Sequence, residues 1–216
     1  MKNTFNNIVQ YYPEVIENYM KVESLLDVKA NGLSMTINLL ETTRILVFLE
    51  QVIKGEYTIK EFSEAYKEYA NKVQLIDIIE RQRRSYTEIT NILCGIIVEK
   101  ALKEKKVISC QQINHINFLL DLGIIDLYNL LKIEENRENT EEEKGVISRR
   151  QIKELQMGNV ILARLEQYGY IETGTVAYMY GTPGFSELYL DLIENITIGY
   201  SIKQLEQLVR EELCND

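Results

Sequence analysis

A chain of 216 residues, 45% hydrophobic and 26% charged, has the make-up of a soluble globular protein of one large domain or a domain and a half. Its net charge of −9 argues against a broad basic surface of the kind that holds duplex DNA. Cys94, Cys110 and Cys214 form neither an even set nor a CxxC pair, which excludes a disulfide framework and reads as reduced thiols in a cytoplasmic protein.

The opening "MKNTFNNIVQYYPEV" has no apolar core of signal-peptide length. The longest apolar runs, "ILVFL" at 45–49 and "GIIV" at 95–98, fall far short of the ~20 residues of a membrane span. No membrane partner is expected. Richness in Ile, Lys, Asn and Tyr suggests AT-rich coding DNA and a bacterial or phage source. Two prolines and eleven glycines leave few helix breaks, so the expected fold is mainly α.

Phe5, Ile8, Tyr12, Val15, Tyr19, Val22 and Leu26 alternate steps of three and four, the seam of a helix that buries one face. Pro13 predicts a kink or restart within it. A second helix is expected from Ser34 to Lys54, apolar all round between Ile45 and Leu49 and therefore central. Thr58 and Glu61 form a capping box for a third helix, whose Ile59, Phe62, Tyr66, Tyr69, Val73 and Ile76 repeat the seam rhythm. Phe5, Ile8, Tyr12, Val15, Tyr19, Ile59, Phe62, Tyr66 and Tyr69 are the candidate interaction seam, facing each other or a second copy of the chain.

Ser85 with Glu88 predicts the cap of a fourth helix, "SYTEITNILCGIIVEKALKEKK". Its terminal lysines suit the negative end of the helix dipole. Shorter helices follow near 109–122 and 124–132. "KIEENRENTEEEK" has no apolar residue after Ile133 and reads as a solvated linker. The expected organisation is a helical bundle over 1–133, an acidic linker over 134–145, and a C-terminal helical domain with a β-hairpin over 146–216.

In that last segment Ser148 opens a short helix, Asn159 caps a second, and Gly169 ends it. "YIETGTVAYMY" predicts a hairpin turning at Gly174-Thr175. Thr182-Pro183 is expected to open the next helix, with Phe185, Leu188, Tyr189, Leu192 and Ile196 as its apolar stripe. Ser201 and Gln204 open the last, with Ile202, Leu205, Leu208, Val209 and Leu213 facing inward.

No residue set points to catalysis. The chain lacks GxSxG, Walker A and GxGxxG patterns, and its one histidine, His115, excludes a two-histidine metal site. Beside asparagines, His115 reads as a surface or half-buried polar residue. No cofactor is expected.

"LEQYGYIET" resembles the segment of winged-helix regulators where the recognition helix ends and the first wing strand begins. The resemblance covers about thirty residues and implies DNA contacts by Arg149, Arg150, Lys153 and Arg164. Against it, both helices are short, and 146–180 holds four basic and three acidic residues. The expected function is therefore a non-catalytic helical regulatory or adaptor protein, of inhibitor or immunity type, that contacts another protein or itself as a homodimer. A winged-helix-like DNA-binding regulator using 146–181 is the alternative.

Overall fold

The computed structural model describes residues 39–53, 77–79, 81–82, 85–104, 107–138, 158–172 and 184–215. These residues form a mainly α, multi-helix fold with one small antiparallel strand pair. The chain divides into two compact units, Met1–Ile116 and Asn117–Asp216.

In the first unit, α1 (Leu39–Ile53) packs on α2 (Glu88–Lys103). Ile45, Phe48, Leu49 and Val52 stand at helical spacing on α1 and are buried. The more enclosed helix is α2: Ile89, Leu93, Cys94, Ile96, Ile97, Val98, Ala101 and Leu102 lie on every side of it, all buried. Gly95 explains how the two helices come so close. A Cβ built there would stand 2.7 Å from Gln51 Cβ and 3.0 Å from the Phe48 carbonyl oxygen. Two polar links cross the same seam. Asn91 Nδ2 donates to the Arg44 carbonyl at 2.9 Å, and Gln51 Nε2 donates to Glu99 Oε2 at 3.3 Å.

The cap of α2 is Thr87, not the expected Ser85. The Thr90 amide donates to Thr87 Oγ1 at 3.0 Å, while the Ser85 hydroxyl is spent on the Thr87 carbonyl at 3.3 Å. Both residues carry a capping hydroxyl three positions before a polar residue. Thr87 is the one whose extended backbone (φ −138°, ψ 151°) lets its oxygen reach the orphan amide. The next helix, α3 (Cys110–Asp121), opens on a reciprocal box: the Gln112 amide donates to Ser109 Oγ, and the Ser109 amide to Gln112 Oε1. The division between the units falls within α3.

In the second unit, α4 (Ile124–Glu138) packs against α5 (Gly158–Gln167) and α7 (Ile202–Asn215). Leu127, Leu130, Leu131 and Ile133 supply the α4 core face. The helix runs on to Glu138, through the first residues of the glutamate-rich stretch. α5 starts at Gly158, which leaves Asn159 inside that helix rather than at its cap. The stop at Gly169 is as expected. Gly169 has φ 76°, the Tyr170 amide donates to the Leu165 carbonyl at 2.8 Å, and the Gly169 amide donates to the Glu166 carbonyl at 3.1 Å, a Schellman ending.

The strand pair differs from the expected hairpin. β1 (Ile171–Glu172) pairs with β2 (Gly184–Phe185), Ile171 opposite Phe185. A two-residue turn at Gly174-Thr175 would instead put Ile171 opposite Tyr178. Residues 173–183, including that turn, lie outside the described residues. The following helix, α6 (Glu187–Ile196), is capped by Ser186 rather than opened at Thr182-Pro183. Ser186 Oγ accepts from the Tyr189 amide at 3.3 Å and donates to the Gly169 carbonyl at 2.8 Å, so one hydroxyl ties the helix start to the α5 ending. Phe185 is thus a strand residue. Its ring still joins the core, 4.4 Å from that of Tyr189.

At α7 the expected box forms: the Ser201 amide donates to Gln204 Oε1 at 2.8 Å and the Gln204 amide to Ser201 Oγ at 3.3 Å. Ile202, Leu205 and Val209 are buried as expected and Leu208 is half-buried. Leu213, expected inward, is 38% exposed, because it follows the last buried turn of the helix.

Candidate interaction surface

The polar framework of the second unit is built on α4. Lys132 reaches two carboxylates, Glu135 Oε2 at 2.6 Å on its own helix and Glu206 Oε1 at 2.9 Å on α7. Arg210 closes on the same Glu206 oxygen at 2.6 Å. The Tyr128 ring lies under both cations, 5.8 Å from Lys132 Nζ and 5.7 Å from the Arg210 guanidinium carbon. Burial alone would raise the Glu206 carboxyl, but Lys132 and Arg210 outweigh it and hold the carboxyl below its ordinary value. Burial alone would lower Lys132, and Glu135 and Glu206 outweigh that in turn. The cluster joins α4 to α7, and its charges are spent on each other.

A second polar group on α4 is buried away from that cluster. Glu134 is fully buried and bonded by both Arg137 and the Tyr189 hydroxyl. Tyr189 belongs in turn to a row of rings with Tyr170, Phe118 and Tyr168, edge to face except for the near-parallel Tyr168 and Tyr170, with ring centroids 4.6 Å apart for Phe118 and Tyr170. The Tyr168 hydroxyl donates to Asp121. Burial pushes the Tyr170 phenol well above its ordinary range. These groups have the arrangement of a satisfied core network.

Among the residues that the winged-helix resemblance assigns to DNA, Arg149, Arg150 and Lys153 lie outside the described residues. Arg164 is described, and its guanidinium stands 3.5 Å from Asp126 on α4. Its side chain therefore leans toward the core side of α5. Among the described side chains of α5 the exposed ones are Val160, Ala163 and Gln167, which carry no charge, while Arg164 and Glu166 are half-buried. The candidate seam of Phe5, Ile8, Tyr12, Val15, Tyr19, Ile59, Phe62, Tyr66 and Tyr69 also lies outside the described residues.

The charge of the chain is unevenly placed. Residues 1–116 hold fifteen Lys and Arg against fifteen Asp and Glu, and residues 117–216 hold nine against eighteen. All of the −9 therefore sits in the second unit, the one that carries the wing-like element. Sequence reasoning reported the total and the local count over 146–180. It missed this partition because the unit boundary was not visible.

His115 is fully buried, against the expectation of a surface or half-buried residue. It shares a face of α3 with Phe118 and Leu119, at helical spacing, and that face is core. Cys94 is buried, and burial pushes its thiol up to about 12, with Gln82 acting weakly the other way. Cys110 and Cys214 are exposed. Among the described residues no three His, Cys, Asp or Glu side chains gather as a metal site would require, and no helix is long and apolar enough to cross a membrane.

The chain matches no protein-family model, no curated protein and no solved structure.

Proposed function

We propose that this chain is a non-catalytic, cytoplasmic, helical regulatory or adaptor protein, of inhibitor or immunity type, that works through protein contacts. The observation that carries the reading is the charge partition. A unit of one hundred residues with twice as many acids as bases repels a phosphate backbone and attracts a basic partner. The pairing of Arg164 with Asp126 supports it, since a helix that reads a groove presents its arginines to base edges and phosphates.

One observation favours the alternative, a winged-helix-like DNA-binding regulator. α5, its glycine ending and the antiparallel β1–β2 pair follow one another in the order of a recognition helix and wing. Selection from a random or source-genome DNA pool separates the two. The expected result is no enriched motif, together with a stoichiometric protein partner in material purified from the native source. One enriched motif, lost in an Arg149/Arg150 double variant, would establish the alternative instead.

A further inference from the structure

We infer that the outward face of α6, with Glu187, Leu190 and Glu194, and the exposed Ile198 of the turn that follows it dock a basic amphipathic helix of a partner protein. The inference rests on the protein-contact reading above and names the chemistry of the contact. The Ser186 cap and the inward residues Tyr189, Leu192, Ile193 and Ile196, all buried, fix which side of α6 faces out. On that side Glu187, Leu190 and Glu194 follow at steps of three and four, and Ile198 lies exposed in the turn just past the helix end. Leu190 at 45% and Ile198 at 42% exposure are the most exposed large aliphatic residues among those described. Two side chains would be unremarkable if scattered, but Leu190 stands between the exposed Glu187 and Glu194, and Ile198 follows four residues after the second acid.

Charge selects the occupant. α6 carries Glu187, Asp191 and Glu194 and no Lys or Arg, within a unit of net charge −9. A second copy meeting this face through a two-fold axis would set glutamate against glutamate. A nucleic acid would meet the same repulsion and gain nothing from the aliphatic side chains. A helix with leucines at i, i+3 and i+7, flanked by Lys or Arg, matches both features at once.

The test uses the full chain and a labelled synthetic helix of about eighteen residues, leucines on one face and lysines on the other, long enough to be helical once bound. A control peptide keeps every lysine and replaces the leucines with serine. The expected result is that Leu190→Ser with Ile198→Ser weakens the leucine peptide at least roughly tenfold, a loss of about 1.4 kcal/mol, with melting unchanged. Glu187→Lys with Glu194→Lys should weaken it similarly, whereas Glu211→Lys with Glu212→Lys on α7 should have little effect. Equal binding of the serine peptide, or equal loss from the α7 reversals, would overturn the inference as unspecific charge attraction. A dimer abolished by Leu190→Ser with Ile198→Ser would overturn it in favour of a second copy. The protein-contact reading fails separately, on the DNA selection, and it survives if a native partner is held through another face.

Discussion

The Tyr189 hydroxyl donates to Glu134 Oε2 at 3.1 Å, with both side chains fully buried and fifty-five residues apart in the chain. This bond joins α6 to α4 in the dry interior, and Arg137 supplies the countercharge from one turn along α4. Tyr189→Phe should keep the packing and leave the carboxylate one donor short, at a cost of ~1–3 kcal/mol. Arg137→Ala should cost more, ~3–5 kcal/mol, because it strands a buried charge. Urea unfolding measures both. The reverse order would mean that Tyr189, not Arg137, is the partner on which the buried carboxylate depends.

Gly95→Ala should destabilise the first unit. In an exposed helix the same change is worth up to ~1 kcal/mol in favour of alanine. Here the added Cβ meets Gln51 Cβ at 2.7 Å and the Phe48 carbonyl at 3.0 Å, and a backbone oxygen cannot swing away. Overpacking of this kind costs ~1–3 kcal/mol, so the net sign should be unfavourable. A raised melting temperature would mean that α1 and α2 do not cross at this point.

The parts of this fold legible in the sequence are those set by a few adjacent residues. Gly169 needs a left-handed backbone, and Ser201 with Gln204 satisfies two orphan amides within one turn, so both boundaries could be read locally. The choice between Ser85 and Thr87 could not, because both patterns are adequate and the backbone decides. The Ser186 cap was hidden for another reason: its hydroxyl answers to Gly169, seventeen residues back, across the strand pair. The candidate surface was less legible still. Arg164 looked available for phosphate because its partner Asp126 lies on a different helix, and Glu134 looked solvated because nothing near it in sequence announces Tyr189.

Acid should loosen the contact between α4 and α7. The Glu206 carboxyl is held below its ordinary value in the fold, so its stabilisation is full above the unfolded value of ~4.3 and is lost as pH falls through the folded one. Lys132 is raised, so its share is full below ~10.4 and is lost as pH rises through its folded value. Stability measured against pH should therefore show a plateau between these limits. Glu206→Gln should lower the plateau and flatten its acid limb. An acid limb unchanged in Glu206→Gln would assign it to other carboxyls.

The three thiols should separate into two classes. Alkylation needs the thiolate, and burial pushes Cys94 up to about 12 while also closing it from reagent. Cys110 and Cys214 are exposed. Mass spectrometry after brief maleimide treatment near neutral pH should find adducts on Cys110 and Cys214 alone, with Cys94 joining them only in denaturant. Rapid labelling of Cys94 in the native protein would show that the first unit opens around α2.

The pairing of Arg164 with Asp126 bears on both functional readings, and a double-mutant cycle weighs it directly. The side chains are 31% and 11% exposed and 3.5 Å apart, so the pair is partly shielded from solvent but loosely drawn. Arg164→Gln, Asp126→Asn and the double variant should give a coupling of ~0.5–1 kcal/mol in stability, near the upper end for exposed pairs. If the arginine is committed to Asp126, Arg164→Gln should change neither a measured affinity for duplex DNA nor its dependence on salt. If it contacts phosphate instead, the same substitution should lower the salt slope by roughly one unit and show no coupling to Asp126. The coupling and the salt slope are read on the same variants, so the two outcomes are told apart directly. The expected one, coupling without a DNA term, leaves α5 as a supporting helix of the acidic unit rather than a reading helix.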